Sequence, residues 1–221
     1  LTVSGNNLAS NDIIIDTTPP AITSVTSSNS NGTYGITKTI NVTVNLSEPV
    51  TLSGGGLNVT LDTGHTISVS AGSYPASTLT GTYTVVSGDT SPDLNADSPV
   101  SLSGGTMTDT CNENPNIVTG PTTLAIPASQ NLSDNKNIVI DGVEPTVTSI
   151  TSSTSDGSYG TGSTINVTVN FSEPVTLAGA GTLDVTLDTG DIVSVSAGSY
   201  PATQFTGSFT VGSGDTSTDL T

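Results

Sequence analysis

The chain has 221 residues, of which 19 are acidic and only 2 are lysine or arginine, so its formal net charge at pH 7 is −17. A surface this negative repels nucleic acid and anionic lipid, and there is no apolar run long enough to span a bilayer, so nucleic-acid binding and membrane insertion are not expected. One histidine, one cysteine and no tryptophan leave few groups for catalysis or sugar binding, and an enzymatic function is not expected either.

Apolar residues recur at alternate positions, which predicts strands. In Thr39–Ser47, Ile40, Val42 and Val44 alternate with asparagine and threonine, and shorter runs follow at residues 57–61, 67–69, 79–85, 100–102, 124–126 and 138–140. Clusters of glycine, proline, asparagine and aspartate separate these runs, and no segment has a helical period. Roughly seven to nine short strands in about 125 residues predict an all-β fold, either an Ig-like antiparallel β-sandwich or a closed barrel.

The chain contains the same unit twice. "TINVTVNLSEPVTLSGGGLNVTLDTG" begins at Thr39 and "TINVTVNFSEPVTLAGAGTLDVTLDTG" begins at Thr164, an offset of 125 residues that becomes 126 near Gly181. Residues 1–16 resemble residues 124–141, which end the first unit, and the second unit has no counterpart of that ending. We therefore expect the chain to be part of a longer array of repeats. Residues 1–16 would be the closing strand of a preceding repeat, 17–141 repeat 1, and 142–221 a partial repeat 2.

Four segments carry a resemblance to a known class of protein: "DTTPPAITSVTSS", "GTYGITKTINVTVNLSEPV", "SLSGGTMTD" and "NLSDNKNIVID". They resemble the Ig-like, cadherin-like tandem repeats of very large bacterial surface proteins, such as adhesins and SwmB-type repeat proteins. The resemblance implies tandem Ig-like sandwiches in an extracellular stalk on the bacterial cell surface, often stiffened by calcium and without enzymatic activity. "DTCNEN" at Asp109–Asn114 departs from the shorter loop that the family leads us to expect, so a metal role for this loop is in doubt.

Alternating strand direction predicts where the acidic residues gather. The strand that leaves Asp16 and the returning strand Thr39–Ser47 bring Glu48 back toward Asp16. The opposite pole receives Asp62, Asp89 and Asp93, and Asp109 is a further candidate for that pole.

Carboxylates that converge at a junction repel one another unless a cation lies among them, and calcium takes six to eight such oxygen ligands. We therefore predict a calcium site between the repeats and an equivalent site at the preceding junction. The first would use Asp62, Asp89, Asp141 and Glu173, and the second Asp16 and Glu48. The alternative is that these acids are solvated turn residues, because aspartate is common in turns.

The sequence leaves two functions open. In the first, the repeats are a spacer whose partners are neighbouring repeats of the same chain. In the second, the chain is a subunit of an extracellular filament, sheath or surface layer, and the strand Asn11–Asp16 completes a neighbouring copy. His65 is not expected to be functional because Asp191 takes its place in the second unit, and Cys111 is expected to be an incidental loop residue.

Overall fold

The computed structural model describes residues 15–111, 115–120, 122–177 and 182–221, and these are almost entirely β, as the sequence predicts. The chain divides into two compact units, Leu1–Val143 (unit 1) and Glu144–Thr221 (unit 2). The predicted closing strand at residues 1–16 lies largely outside the described residues.

The described strands of unit 1 are short except for two, one of 15 residues and one of 9. They are β1 (Ile22–Ser27), β2 (Gly32–Gly35), β3 (Thr39–Ser53), β4 (Leu57–Thr60), β5 (Thr66–Val69), β6 (Ala76–Thr84), β7 (Thr90–Ser91), β8 (Val100–Leu102), β9 (Thr106–Thr108), β10 (Ile117–Thr119), β11 (Thr122–Leu124) and β12 (Ile138–Asp141).

Strand β3 organises unit 1. Its first part pairs antiparallel with β1 on one side and β6 on the other, so that Val44 lies opposite both Val25 and Leu79. Its last part pairs with β9, which continues to β10. A second sheet has the order β11-β8-β4-β5, and in a third sheet β12 lies between β2 and β7.

One hydrophobic core joins these sheets. Ile40, Val42 and Val44 of β3 are fully buried, and they belong to the same cluster as Leu57 and Val59 of β4. The alternation seen in the sequence therefore marks the buried face of β3, because successive side chains of a strand point to opposite faces.

Unit 1 also contains a helix, α1 (Leu132–Asn135), which sequence analysis missed. Asn131 caps its first turn, and the Asp134 side chain accepts a hydrogen bond from the Asn131 backbone N–H in return. Four residues are too few for a periodic pattern, but the Asn-x-x-Asp spacing is related to a capping box and was the available signal. In the part of the chain that the structure describes, no helix has the length and apolarity needed to cross a membrane.

Unit 2 repeats the pairing of unit 1 over the part that it shares. Its described strands are β13 (Val147–Thr151), β14 (Thr164–Val175), β15 (Leu183–Thr186), β16 (Ile192–Val195) and β17 (Ala202–Thr210). Val169 of β14 lies opposite Ile150 and Phe205, which reproduces the register of Val44 with its two neighbours. Its core gathers Val167, Val169, Val193, Val195 and Phe205.

Candidate functional site

Acidic side chains gather where the chain enters unit 1. We call this group the entry cluster and define it as Asp16, Glu48, Asp109, Cys111 and Asn116. One ligand atom from each of Asp16, Asp109 and Cys111 lies within 4.8 Å of the others, and the charges of Asp16 and Asp109 both act on Glu48.

The position of Asp109 corrects an expectation from the sequence, which offered it as a candidate for the opposite pole. Thr51, in the last part of β3, pairs with Thr108 at the end of β9. This antiparallel pairing returns the chain toward Glu48, so Asp109 joins the entry cluster instead.

Internal hydrogen bonds occupy the Asp109 carboxylate fully. Its Oδ1 accepts from the backbone N–H of Cys111 and of Asn116, both at 3.1 Å, and its Oδ2 accepts from Asn116 Nδ2 at 2.7 Å and Cys111 Sγ at 3.3 Å. A carboxylate offers about four acceptor positions, so none is left for another donor or a cation. Burial opposes ionisation of Asp109, but these hydrogen bonds outweigh it and lower the pKa. Asp109 is therefore a fixed negative charge.

Glu48 and Asp16 are the more available oxygen donors of the entry cluster. Partial burial raises the pKa of Glu48, and the charges of Asp16 and Asp109 raise it further. Asp16 uses Oδ1 to accept one hydrogen bond, from the Thr18 backbone N–H at 2.9 Å. The hydrogen bond to Asp109 raises the pKa of the Cys111 thiol, with help from burial, so this sulfur is protonated at neutral pH. The cluster thus offers oxygen ligands, the kind that calcium prefers over softer metals.

A second group of acidic residues lies at the other end of β3. We call this group the exit end and define it as Asp62, Asp89 and Asp141. Asp89 follows β6, whose last residue Thr84 pairs with Thr39. Nine positions along β3 separate Thr39 from Glu48, or about 30 Å for an extended strand.

The three exit-end residues are connected through the short strand β7. Asp62 Oδ2 accepts from Ser91 Oγ at 2.7 Å, and its Oδ1 accepts from the Asn95 backbone N–H at 3.2 Å. Asp141 ends β12 opposite Thr90, and its Oδ1 accepts from the Val143 backbone N–H at 3.3 Å. Asp62 and Asp141 therefore keep acceptor positions that these hydrogen bonds do not use.

Asp89 is more constrained, because it is buried and holds a side-chain network. Its Oδ2 accepts from Tyr83 Oη at 2.6 Å and from the Val86 backbone N–H at 2.9 Å, and its Oδ1 contacts His65 Nε2 at 2.9 Å. Burial opposes ionisation of Asp89, but these hydrogen bonds lower its pKa overall. Burial and the bond to Asp89 raise the pKa of Tyr83 to about 12. Sequence analysis missed this role of His65.

Glu173 belongs to unit 2 and is the repeat counterpart of Glu48, as Asp141 is of Asp16. Its Oε1 is shielded from solvent and accepts no hydrogen bond from the residues that the structure describes. The predicted calcium site that combines Glu173 with Asp62, Asp89 and Asp141 stays a prediction.

Part of the exit-end arrangement recurs in unit 2. Asp188, the counterpart of Asp62, accepts from Ser217 Oγ at 2.6 Å, and this hydrogen bond lowers its pKa. The counterparts of His65 and Tyr83 are Asp191 and Phe209. The aspartate–serine contact is therefore common to both repeats, whereas the network around Asp89 is particular to unit 1.

Comparison with known proteins assigns no family to the chain. No family model matches the sequence, and no curated protein matches it. The duplicated unit and its acidic ends, together with the sequence resemblance, are therefore the features that bear on function.

Proposed function

We propose that the chain is a non-catalytic structural repeat of an extracellular bacterial surface protein, acting as a stalk or spacer in adhesion or surface attachment. In this proposal each unit is an Ig-like β-sandwich, and its partners are neighbouring repeats. Support comes from the duplication itself, since both units use the same strand register around an apolar core. Arrays of such units behave as nearly one-dimensional objects, in which each unit contacts mainly its neighbours.

The polar outer faces of the strands support a structural role. Thr43 and Thr80 hydrogen-bond across β3 and β6 at 3.1 Å, and Thr168 and Thr206 form the same contact in unit 2, also at 3.1 Å. Cross-strand contacts of this kind stabilise a sheet modestly. The threonine- and asparagine-rich faces thus contribute to the stability of the sheets, a role that requires no substrate.

The entry cluster is the observation that carries the spacer proposal furthest. Asp16, Glu48 and Asp109 bring three carboxylates together at the point where the chain leads into β1; burial raises the pKa of Glu48, and the charges of Asp16 and Asp109 raise it further. A bound calcium ion would offset this repulsion and tie the entering chain to β3. Asp16 and Glu48 would be the ligands, with Asp109 as a fixed charge behind them.

The repeat register extends the calcium proposal to the following junction. Asp141 and Glu173 stand in the sequence where Asp16 and Glu48 stand one repeat earlier. We propose that they serve a second site, with Asp62 and Asp89 contributing charge from the exit end.

Thermal melting of the full chain in chelator and in millimolar calcium tests the proposal. Free calcium at about 100 times its Kd stabilises the folded state by ~2.7 kcal/mol, which raises the melting temperature by several degrees. Glu48→Gln should reduce the shift, and Asp97→Asn, which removes an exposed carboxylate outside the cluster, should leave it unchanged. Equal midpoints of the wild-type chain in chelator and in calcium would reject the calcium-stiffened spacer.

A further inference from the structure

The chain leaves unit 1 through a close backbone contact just after β12. Gly142, the residue that follows β12, is buried. Its N–H donates to the Asp89 carbonyl oxygen at 2.7 Å, and its carbonyl oxygen accepts from the Gly88 N–H at 2.8 Å. Both main-chain polar groups of Gly142 therefore bond to one turn, residues 86–89.

The turn approaches Gly142 too closely for a side chain at that position. A Cβ at Gly142 would overlap the Val86 carbonyl oxygen and would lie 2.8 Å from the Asp89 carbonyl oxygen. Gly35 of β2, which lies opposite Asp141, has ordinary space, because a Cβ there would meet only the Asp141 carbonyl oxygen, at 3.6 Å. The contact with the turn is therefore what requires glycine at position 142.

The Asp89 carboxylate closes the turn from inside. Its Oδ2 accepts from the Val86 backbone N–H at 2.9 Å, and the Asp89 backbone N–H donates to the Val86 carbonyl oxygen at 3.2 Å. Hydrogen bonds to an ionised carboxylate are stronger than bonds between neutral groups. The side chain of Asp89 therefore fixes the shape of the turn whose backbone binds Gly142.

The same carboxylate ties the turn to the rest of unit 1. Asp89 Oδ2 also accepts from Tyr83 Oη at 2.6 Å, and Tyr83 is a buried member of the hydrophobic core. Asp89 Oδ1 contacts Nε2 of His65, which lies between β4 and β5, at 2.9 Å. Asp89 thus connects Gly142 to β6 and to the loop between β4 and β5.

The contact at Gly142 extends a short strand pairing. β7 has two residues, and it pairs with β12 only through Ser91 opposite Ile140 and Thr90 opposite Asp141. Gly142 continues this pairing to the turn, and the Val143 N–H then donates to Asp141 Oδ1 at 3.3 Å. Hydrogen bonds within unit 1 therefore hold the backbone as far as Val143, the last residue of the unit.

We propose that Gly142 and residues 86–89 form a clasp that fixes the chain where it leaves unit 1 without a bound cation, and that the Tyr83–Asp89–His65 network keeps the clasp closed. The inference deepens the spacer proposal and rests on it for its biological use, because a spacer is stiff only if the chain is held at the end of each unit. It assigns a positioning role to Gly142 and a purpose to the network around Asp89.

Hydrogen exchange of the full chain in chelator tests the clasp. The measured quantity is the protection of the amide at position 142 divided by that of the Val44 amide, since Val44 is fully buried in β3 and reports opening of the whole unit. Gly142→Ala should lower this ratio about ten-fold or more, because the added methyl group forces the turn away from the chain. Gly35→Ala, at the neighbouring position with ordinary space, is the matched control and should leave the ratio unchanged.

Asp89→Asn tests the network without adding bulk at position 142. The substitution removes the charge, and the side-chain amide cannot accept hydrogen bonds at both of its ends. The ratio should again fall about ten-fold or more, because hydrogen bonds to a charged group contribute more to stability than neutral ones. A general loss of stability lowers the protection of both amides and leaves the ratio unchanged, so the ratio separates opening of the clasp from unfolding of unit 1.

Backbone order parameters measured by NMR in chelator test the consequence for the exit. The order parameter of Val143 should be about 0.85 in the wild-type chain, as in rigid backbone, and should fall below about 0.6 in Gly142→Ala. A mobile Val143 in the wild-type chain overturns the inference, and so does a protection ratio that either Gly142→Ala or Asp89→Asn leaves unchanged. These measurements contain no calcium, so their failure is distinct from equal melting midpoints in chelator and calcium, which would reject the calcium-stiffened spacer.

Discussion

The two units share a sequence pattern, but they bury it differently. Ile22 and Val25 on β1 lie inside the core of unit 1, whereas Val147 and Ile150, at the same positions of β13, are more than half exposed. The strands themselves are alike, since both pair antiparallel with the following long strand in the same register. In unit 1 residues 130–141 cover β1, with hydrogen bonds that join Gln130 and Asn135 to the Val25 backbone, and the corresponding segment of the second repeat is not among residues 142–221. A strand's own pattern thus shows which face is apolar, while a distant segment decides whether that face is covered.

A second difference concerns the exit end. In both units an aspartate accepts from the backbone of the preceding turn: Asp89 from the Val86 N–H at 2.9 Å and Asp215 from the Gly212 N–H at 2.6 Å. Only in unit 1 does that aspartate also bind a tyrosine and a histidine, because Phe209 and Asp191 replace them in unit 2. The turn belongs to the common scaffold, and the Tyr83–Asp89–His65 network is an addition to it.

The largest expected effect is on the covering segment. Leu132→Ala should destabilise unit 1 by about 2–5 kcal/mol, because it leaves a cavity at a fully buried position. Ile150→Ala, on the uncovered strand of unit 2, should change stability by no more than about 0.5 kcal/mol. Urea unfolding, monitored separately in each unit by hydrogen exchange, measures both changes in stability. Similar losses from the two substitutions would show that β13 is covered in solution.

Removing the tyrosine hydroxyl tests the network that distinguishes the units. Tyr83→Phe should destabilise unit 1 by about 1.5–3 kcal/mol at pH 7, because it removes a hydrogen bond to an ionised carboxylate. The folded pKa of Tyr83, about 12, exceeds its ordinary value of 10.0, so the protonated phenol is the stabilising form. Its contribution is complete below the ordinary pKa and is lost as pH rises from there to the folded pKa.

The stability difference between wild type and Tyr83→Phe should therefore shrink at alkaline pH, which denaturant unfolding at a series of pH values measures. Tyr34→Phe, which removes an exposed hydroxyl that donates to the Ser30 carbonyl oxygen, is the control. A difference that stays constant up to pH 12 would contradict the role assigned to the Tyr83 phenol.

A close backbone contact at a glycine is common to both units, so substituting that glycine should destabilise each unit equally. A Cβ at Gly81 would lie 2.6 Å from the Ser68 carbonyl oxygen, and one at Gly207 would overlap the Ser194 carbonyl oxygen in the same way. Gly81→Ala and Gly207→Ala should each destabilise their own unit by about 1–3 kcal/mol, because neighbouring backbone must move.

Gly72→Ala and Gly198→Ala are the matched controls, since a Cβ at either position meets nothing within 4 Å. Unfolding of each unit, monitored by hydrogen exchange, measures these changes in stability. Destabilisation in one unit alone would mean that the two copies do not share this backbone contact.

Local patterns and strand directions account for what the sequence could predict. The alternation of Ile40, Val42 and Val44 identifies β3 and its buried face, and antiparallel order brings Glu48 back toward Asp16. Whether a metal binds there stays a prediction.

Apart from the short helix α1, the features that were missed depend on contacts between residues far apart in sequence. Asp109 reaches the entry cluster only because β9 pairs with the last part of β3. His65 contacts Asp89, which lies 24 residues further along unit 1, through a side-chain contact that no sequence spacing indicates. The parallel pairing of β12 with β2 joins residues more than a hundred positions apart, and no turn between them signals it.

The smallest expected effect separates the entry cluster from an ordinary set of surface acids. The folded pKa of Glu48 is raised above 4.5 by burial and by Asp16 and Asp109, so folding favours its protonated form. In chelator, the stability of the wild-type chain relative to Glu48→Gln should therefore fall as pH rises from 4.5 through that raised pKa.

At pH 7 without calcium, Glu48→Gln should be the more stable protein, by no more than about 1 kcal/mol because solvent screens a partly exposed charge. With saturating calcium the order should reverse, because the variant loses a ligand. Chemical unfolding in the two buffers measures both signs, with Glu144→Gln as a control at an exposed carboxylate of unit 2. A variant that is less stable than the wild type in chelator would mean that Glu48 makes a favourable contact of its own, and that repulsion at the entry to unit 1 is not what a cation would relieve.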